Sequence, residues 1–209
     1  GWSFVQATRD DYVGYLRDEQ VTEGAAPTHK VGARATHVYS EPDFKSPERA
    51  FLGHGARLHV LDAAGRFART PQGFVPVAHL SPLAELAGDP VDVAALYLGT
   101  PYLWGGNSML GIDCSGLVQA ACLACGIDCP GDSDMQADRL GVTLPAGTPP
   151  RRGDLMFWKG HVAWLSAPDT LLHANVHHMA VAQEPLAAAI ARIEQQGDGP
   201  VTAHKRLEG

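Results

Sequence analysis

Cys114 stands in the run Asp113-Cys114-Ser115-Gly116, behind the stretch Tyr102-Leu103-Trp104-Gly105-Gly106. Asp113 has a side chain suited to a helix N-cap, and Leu117, Ala120, Ala121 and Ala124 recur at helical spacing before Gly126. The pattern predicts a buried helix over residues 114–125 with Cys114 in its first turn. There a thiol meets the positive end of the helix dipole and unpaired backbone N–H groups, and both favour the thiolate. Gly111 and Gly116 are expected to leave room for a substrate backbone. A nucleophilic thiol also needs a base that later protonates the leaving group, and histidine suits that work.

Ten histidines compete for the role, and His161 and His173 stand apart by position. Each lies in an apolar run, His161-Val162-Ala163-Trp164-Leu165 and Leu171-Leu172-His173-Ala174, and the residues between them carry the turn formers Pro168 and Asp169. A hairpin centred on Ala167 sets the two histidines directly opposite on one face, with Cβ atoms about 4.5–5.5 Å apart. One imidazole can then act on Cys114 while the other fixes its tautomer, a Cys–His–His arrangement. Blander readings exist for each residue. A helical cysteine can be purely structural, two facing histidines can cap a sheet, and His173 with His177 and His178 can suggest metal. No nearby carboxylate or thiol completes such a site, so neither a metal nor a cofactor is expected.

The elements that must hold these residues divide the chain. At 209 residues the length corresponds to about 1.4 average domains. Residues 1–83 show short alternating runs broken by Ala63-Ala64-Gly65 and Pro71-Gln72-Gly73, which predict one or two small β barrels. A loose internal repeat relates Phe4-Val5 and Tyr12 to Leu16 with Phe67-Ala68 and Phe74 to Leu80. On that basis residues 1–26 are the tail of one module, 27–83 a complete second module, and 84–209 a separate domain. In the last, Asp89-Pro90 and Gly99 bracket a short helix, four apolar runs follow between Asp154 and Ala182, and residues 185–196 form a further helix. Helices followed by consecutive strands predict an α+β domain with an antiparallel sheet.

Composition excludes several classes. With 23 acidic against 16 basic residues the net charge is −7, unlike a nucleic-acid binder. No apolar run is long enough for a membrane-spanning helix. Cys114, Cys122, Cys125 and Cys129 cluster in one segment, which reads as buried thiols more readily than as a disulfide framework, although an iron–sulfur or zinc site is the rival reading. The chain opens at Gly1 rather than Met with no signal segment behind it, so its natural start is expected to lie upstream. The clustered thiols favour a cytoplasmic location, with periplasmic or extracellular as the alternative.

Five motifs in order carry a resemblance. Pro101-Tyr102-Leu103-Trp104-Gly105-Gly106, Asp113-Cys114-Ser115-Gly116, Arg152-Gly153-Asp154-Leu155, Gly160-His161-Val162 and Leu172-His173-Ala174 resemble the NlpC-type bacterial cysteine peptidases over roughly residues 88–209. The resemblance implies a papain-like α+β fold and hydrolysis of the amide between γ-D-glutamate and a diamino acid in peptidoglycan stem peptides. It makes Cys114 the nucleophile, His161 the base and His173 the orienting residue. The N-terminal half resembles the bacterial SH3-like modules that precede this domain in many members. A subgroup with two such modules acts on free peptides bearing an N-terminal L-Ala. Its pattern implies that Tyr102 lies near the nucleophile and that Asp132-Ser133 binds the substrate amine, with Trp104, Asp113 and Ser115 shaping the groove. Either Tyr12 or Tyr15 of the partial first module is expected to supply one contact to such a groove. The competing functions are a catalytically inactive wall-binding adaptor and an acyltransferase using the same thioester chemistry.

Overall fold

The structure is a computed structural model that describes residues 1–207. It divides into two units, Gly1–Leu86 and a second beginning at Ala87.

The first unit is built from short antiparallel strands. β1 (Trp2–Gln6) and β2 (Val13–Arg17) form a hairpin in which Phe4 faces Tyr15, and a 3-10 turn, Asp18–Gln20, follows. Then come β3 (His29–Val31), β4 (Ala35–Tyr39), β5 (Glu48–Gly53), β6 (Arg57–Leu58), β7 (Asp62–Ala64), β8 (Phe67–Thr70), β9 (Gly73–Pro76) and β10 (Leu80–Pro82). They assemble as two sheets, ordered β10-β3-β6 and β5-β4-β9-β8-β7. The expected closed barrel is therefore not what the ladders make. Val31, Val38, Leu58 and Val75 form a small shared core, because alternation in each strand turns every second side chain inward. The β8–β9 hairpin is followed by a 3-10 turn, Val77–His79, as β2 is followed by Asp18–Gln20, so the sequence repeat has a counterpart in local structure. β5 has no counterpart in the sequence reading, since its strand carries Glu48 and Arg49 and is mostly exposed.

The second unit starts with α1 (Pro90–Ala95), where the Asp89 side chain accepts the Val91 N–H at 2.7 Å. A tight hairpin of β11 (Asn107–Ser108) and β12 (Gly111–Ile112) leads into α2 (Cys114–Ala124). α3 (Ser133–Arg139) and the short β13 (Val142–Thr143) follow. β14 (Asp154–Trp158), β15 (His161–Ala167), β16 (Thr170–Asn175) and β17 (Ala180–Pro185) then run as a meander, and α4 (Leu186–Gln196) and β18 (Ala203–Arg206) close the chain. The six strands make one antiparallel sheet ordered β13-β18-β14-β15-β16-β17.

This unit is an α+β layer structure. Ala189 and Ile193 of α4 pack on Met156, Trp158, Ala163, Leu165 and Leu171, while α2 packs against β15 and β16. β14 is buried along its whole length and reads as an unbroken apolar run because both faces of the sheet are covered. Asp154 begins that strand with its carboxylate fully buried, taking two bonds from the Arg206 guanidinium at 2.6 and 2.7 Å and one to His204 Nε2 at 2.7 Å. These contacts fasten β14 to β18, so the Arg-Gly-Asp-Leu motif serves the fold rather than the chemistry.

Candidate active site

Asp113 caps α2, and its carboxylate is spent in doing so. Oδ1 accepts the Gly116 N–H at 2.7 Å and the Ser115 hydroxyl at 3.2 Å, while Oδ2 accepts the Gly105 N–H at 2.7 Å. Asp113 is thus a buried anchor that binds the 102–106 loop to the helix, rather than an amine-seeking group in the groove. Gly116 has a similar reason: a Cβ there would lie 2.5 Å from the Gly106 carbonyl oxygen. The space that Gly116 and Gly111 leave is filled by the protein's own loop, with Leu103 against Gly111, and not held open for substrate.

Cys114 is the first residue of α2 and is buried. Its sulfur accepts backbone N–H bonds from Val162, from Ser115 and from its own residue. Those donors favour thiolate, as expected at a helix N-terminus. Burial outweighs them and pushes the thiol up to about 11, with nearby Asp113 adding to the rise. The resting group is therefore a thiol, contrary to the thiolate expected from its place on the helix.

Val162, which binds the sulfur, is the neighbour of His161, the first residue of β15. His161 Nε2 and His173 Nδ1 lie 2.7 Å apart. The two residues are not directly opposite, because the hairpin turns between Ala167 and Thr170 rather than at Ala167, and a bulge between Leu165 and Ala167 then shifts the register by one residue. Trp164 faces Leu172 and Leu165 faces Leu171, so His161 stands two positions beyond the partner of His173. An even offset keeps both side chains on one face, and a diagonal pair at a Cβ separation of about 7–8 Å is within reach of two imidazoles. The Trp158 ring packs 5.7 Å from that of His161 and helps to shield it.

Two residues that the sequence reading missed complete the row. Glu184 Oε1 lies 2.8 Å from His173 Nε2, and Arg192, from α4, bonds the same carboxylate oxygen. Burial opposes the Glu184 charge, but the bonds from His173 and Arg192 prevail and hold its carboxyl down at about 2. An ionised carboxylate can only accept, so His173 carries its proton on Nε2 and presents a bare Nδ1. His161 must then donate from Nε2, which leaves His161 Nδ1 as its free lone pair. Burial lowers the basicity of both imidazoles, His161 to about 3, with the neighbouring ring and Arg192 also lowering His161 and Glu184 opposing. Both nitrogens of His173 are used within this row, so that ring keeps no lone pair for the metal role considered above.

Tyr102 is held by a bridge to Ile112 and by its N–H to the Met179 carbonyl at 2.9 Å. Its hydroxyl is raised in pKa by burial, then by Cys114 and Asp113, so it stays protonated as a donor close to the sulfur. Trp104 projects almost wholly into solvent, at 88% exposure. Ser115 is buried, with its hydroxyl on Asp113, and so serves the cap. Asp132 is at the N-cap of α3 without a capping bond and is exposed rather than partly buried, with Ser133 half-buried beside it. The signal that α3 exists is weak because only Gln136 of its residues is fully buried. Gln136 ties this segment to the site, since its Nε2 donates to the Ser115 and Pro130 carbonyls, both at 2.9 Å.

A sequence profile described as the NlpC/P60 family matches residues 99–194, the span that holds Cys114, His161, His173 and Glu184. Dipeptidyl-peptidase 6 of Lysinibacillus sphaericus is 31% identical over 202 residues, covering 84% of this chain and 73% of that protein. The chain belongs to the NlpC/P60 family. It is accordingly an enzyme of the cysteine peptidase class. Gamma-D-glutamyl-L-lysine dipeptidyl-peptidase of Bacillus subtilis (strain 168) is 39% identical over 169 residues, covering 73% of this chain and 55% of that protein. In fold, the NlpC/P60 chain superposes on an NlpC/P60 family protein from Bacillus cereus ATCC 10987 with a TM-score of 0.78, at 21% identity, over 99% of this chain and 76% of that one.

Proposed function

We propose that this NlpC/P60 chain hydrolyses the amide between γ-D-glutamate and a diamino acid in peptidoglycan stem peptides, acting on free peptides with an N-terminal L-Ala. One observation carries the chemistry: His161 and His173 are hydrogen-bonded in the tautomers that leave His161 Nδ1 as a bare lone pair, on the residue next to Val162, whose N–H binds the Cys114 sulfur. The substrate class rests on the names of the relatives and on the exposed carboxylate of Asp132, which suits a free amine.

In this reading Cys114 Sγ forms a bond to the γ-carbonyl carbon while its proton passes to His161 Nδ1. Because thiol and imidazole are both neutral at rest, the transfer accompanies bond formation rather than preceding it. The carbonyl electron pair moves to oxygen, where the Cys114 N–H and the Tyr102 hydroxyl receive it. Collapse expels the diamino-acid amine, which takes the proton from His161 and leaves a thioester. Water then gives a proton to His161 Nδ1 and attacks the thioester, and the departing sulfur recovers that proton. The products are the L-Ala-γ-D-Glu dipeptide and a peptide that begins with the diamino acid.

Residues 27–83 act as an SH3-like module and residues 1–26 as the end of another, supported by the hairpin and 3-10 turn that recur in both. A cytoplasmic recycling role fits free peptides and clustered thiols. The test is mass spectrometry on L-Ala-γ-D-Glu-diamino-acid peptides with free and acetylated N-termini. The free forms should be cleaved at the γ-amide and the acetylated forms spared, while Cys114→Ala cleaves neither. Equal turnover of both forms removes the amine requirement, and cleavage by Cys114→Ala removes the mechanism.

A further inference from the structure

The hydrogen-bonded row that begins at His161 does not stop at His173. It runs His161, His173, Glu184 and Arg192, across β15, β16, β17 and α4, with N···N 2.7 Å and N···O 2.8 Å at the first two links. Arg192 is itself held by Gln196 Oε1 at 2.9 Å. Glu184 is only about a tenth exposed at its side chain and Arg192 about a fifth, 10% and 18%. A carboxylate so enclosed is costly unless its lone pairs are used, so its retention beside the second histidine needs a reason.

We propose that Glu184, clamped by Arg192, is a positioning residue of the proposed hydrolysis: it locks His173 as the Nε2–H tautomer and so decides which nitrogen of His161 faces Cys114. The proposal rests on the hydrolytic reading given above. Without an acceptor at Nε2, His173 can equally carry its proton on Nδ1. That proton would confront the Nε2–H of His161 and turn or flip the ring that serves the sulfur. A wrong tautomer with intact geometry is enough to cost a relay of this kind most of its rate.

The Arg192 partner tunes as well as clamps. A bare carboxylate would stabilise an imidazolium and hold the pair protonated at rest. The guanidinium on the same oxygen offsets part of that charge, leaving orientation with less gain in basicity. Besides each other, the charged or titratable groups facing the two rings are His178 from the turn after β16, Glu184 from β17 and Arg192 from α4. Glu184 favours the imidazolium, whereas Arg192 and His178 disfavour it. Removing Glu184 and removing Arg192 must therefore move the pH profile in opposite directions, which a merely structural pair would not do.

The experiment compares Glu184→Gln, Glu184→Asp and Arg192→Met with wild type on the L-Ala-γ-D-Glu-diamino-acid peptide. Glu184→Gln is expected to lower kcat roughly 10- to 100-fold with KM within about twofold, as loss of an orienting partner does elsewhere. Its acid limb should move to lower pH, that of Arg192→Met to higher pH, and Glu184→Asp should recover part of the rate. Two further readouts need no substrate. Long-range 1H–15N NMR should show His173 as a single Nε2–H tautomer in wild type and a mixture in Glu184→Leu, whose side chain offers Nε2 no acceptor. Iodoacetamide alkylation of Cys114, resolved from the other thiols by peptide mass spectrometry, should show the same opposed pH shifts. Wild-type tautomers and alkylation profiles in folded Glu184→Leu overturn the proposal. If wild type cleaves no peptide, the substrate reading fails, and the tautomer and alkylation data still judge the relay.

Discussion

His161 and His173 are bonded nitrogen to nitrogen at 2.7 Å although they are not opposite each other in the ladder. The bulge between Leu165 and Ala167 shifts the register by one residue and so sets the two side chains on one face as a diagonal pair, while the unbroken β16–β17 ladder brings Glu184 to the second nitrogen of His173. Without that one-residue shift the Ala167–Thr170 register would set Trp164 opposite His173 and turn His161 to the other face. The bulge therefore belongs to the site as much as the side chains do.

Replacing His173 tests the middle of that row. His173→Ala should reduce kcat by about 100-fold or more, because His161 loses the acceptor that orients it and Glu184 loses its buried donor. His173→Asn should retain more rate than His173→Ala, since its amide can still accept from His161. Steady-state kinetics on both variants, with circular dichroism to verify folding, gives the comparison. Equal rates in the two would count against an orienting role.

Tyr102→Phe removes one hydroxyl beside the sulfur. Loss of a single oxyanion donor costs about 100- to 1000-fold in kcat where the donor is aimed at the developing charge. KM should change little, and the melting temperature should hold, since the ring and the backbone bond to Met179 are unaltered. A full wild-type kcat in Tyr102→Phe would leave the Cys114 N–H to serve alone.

Acid should destabilise the protein through the same residues. Folding depresses the basicity of His161 to about 3 from an ordinary 6.5, so the unfolded chain takes up a proton that the native site refuses. That contribution is intact above about pH 6.5 and is lost as pH falls toward 3. Glu184, held at about 2 against an ordinary 4.5, adds a loss of the same sign below pH 4.5. Thermal melting between pH 3 and 7 should show a falling midpoint, and His161→Gln should flatten the upper part of the slope. At the alkaline end Cys114, raised to about 11 from 9.0, stabilises below pH 9 and loses that contribution toward pH 11.

Asp154→Ala should be among the most destabilising single changes. It strips a fully buried carboxylate from Arg206 and His204 and cuts the tie between β14 and β18, at a cost of about 3 kcal/mol. Urea denaturation should show a lower midpoint with an unchanged slope. The folded fraction should keep its wild-type kcat, because no bond from Asp154 reaches the Cys114 row.

Gly116→Ala addresses the loop on the helix. A methyl group 2.5 Å from the Gly106 carbonyl must push the 102–106 loop away, costing about 1–3 kcal/mol. The same displacement moves Tyr102, so kcat should fall along with the urea midpoint. Stability lost without any change in kcat would separate the loop from the chemistry.

What could be read from the chain alone was whatever depends on neighbours in sequence. The Asp113 cap, the helix beginning at Cys114, the alternating strands that bear His161 and His173, and the left-handed Gly197 ending α4 are all local signals of capping and periodicity. They were enough to nominate the nucleophile and the two histidines. The motif order carried the family.

Tertiary structure decided whatever depends on distance. The protonation state of Cys114 turned on burial, which no local pattern reports and which outweighed the helix N-terminus. Asp113, attractive as a substrate ligand, became an anchor once the Gly105 and Gly116 amides closed on it, and Asp132 proved exposed. Glu184 and Arg192 were invisible because each finds its partner on another element, Glu184 meeting His173 across the β16–β17 ladder and Arg192 meeting Glu184 from α4. Spacing along a strand fixes the face on which a side chain lies. The side chain it meets across the sheet is chosen by packing, which sums contributions from the whole core and leaves no mark in any one segment.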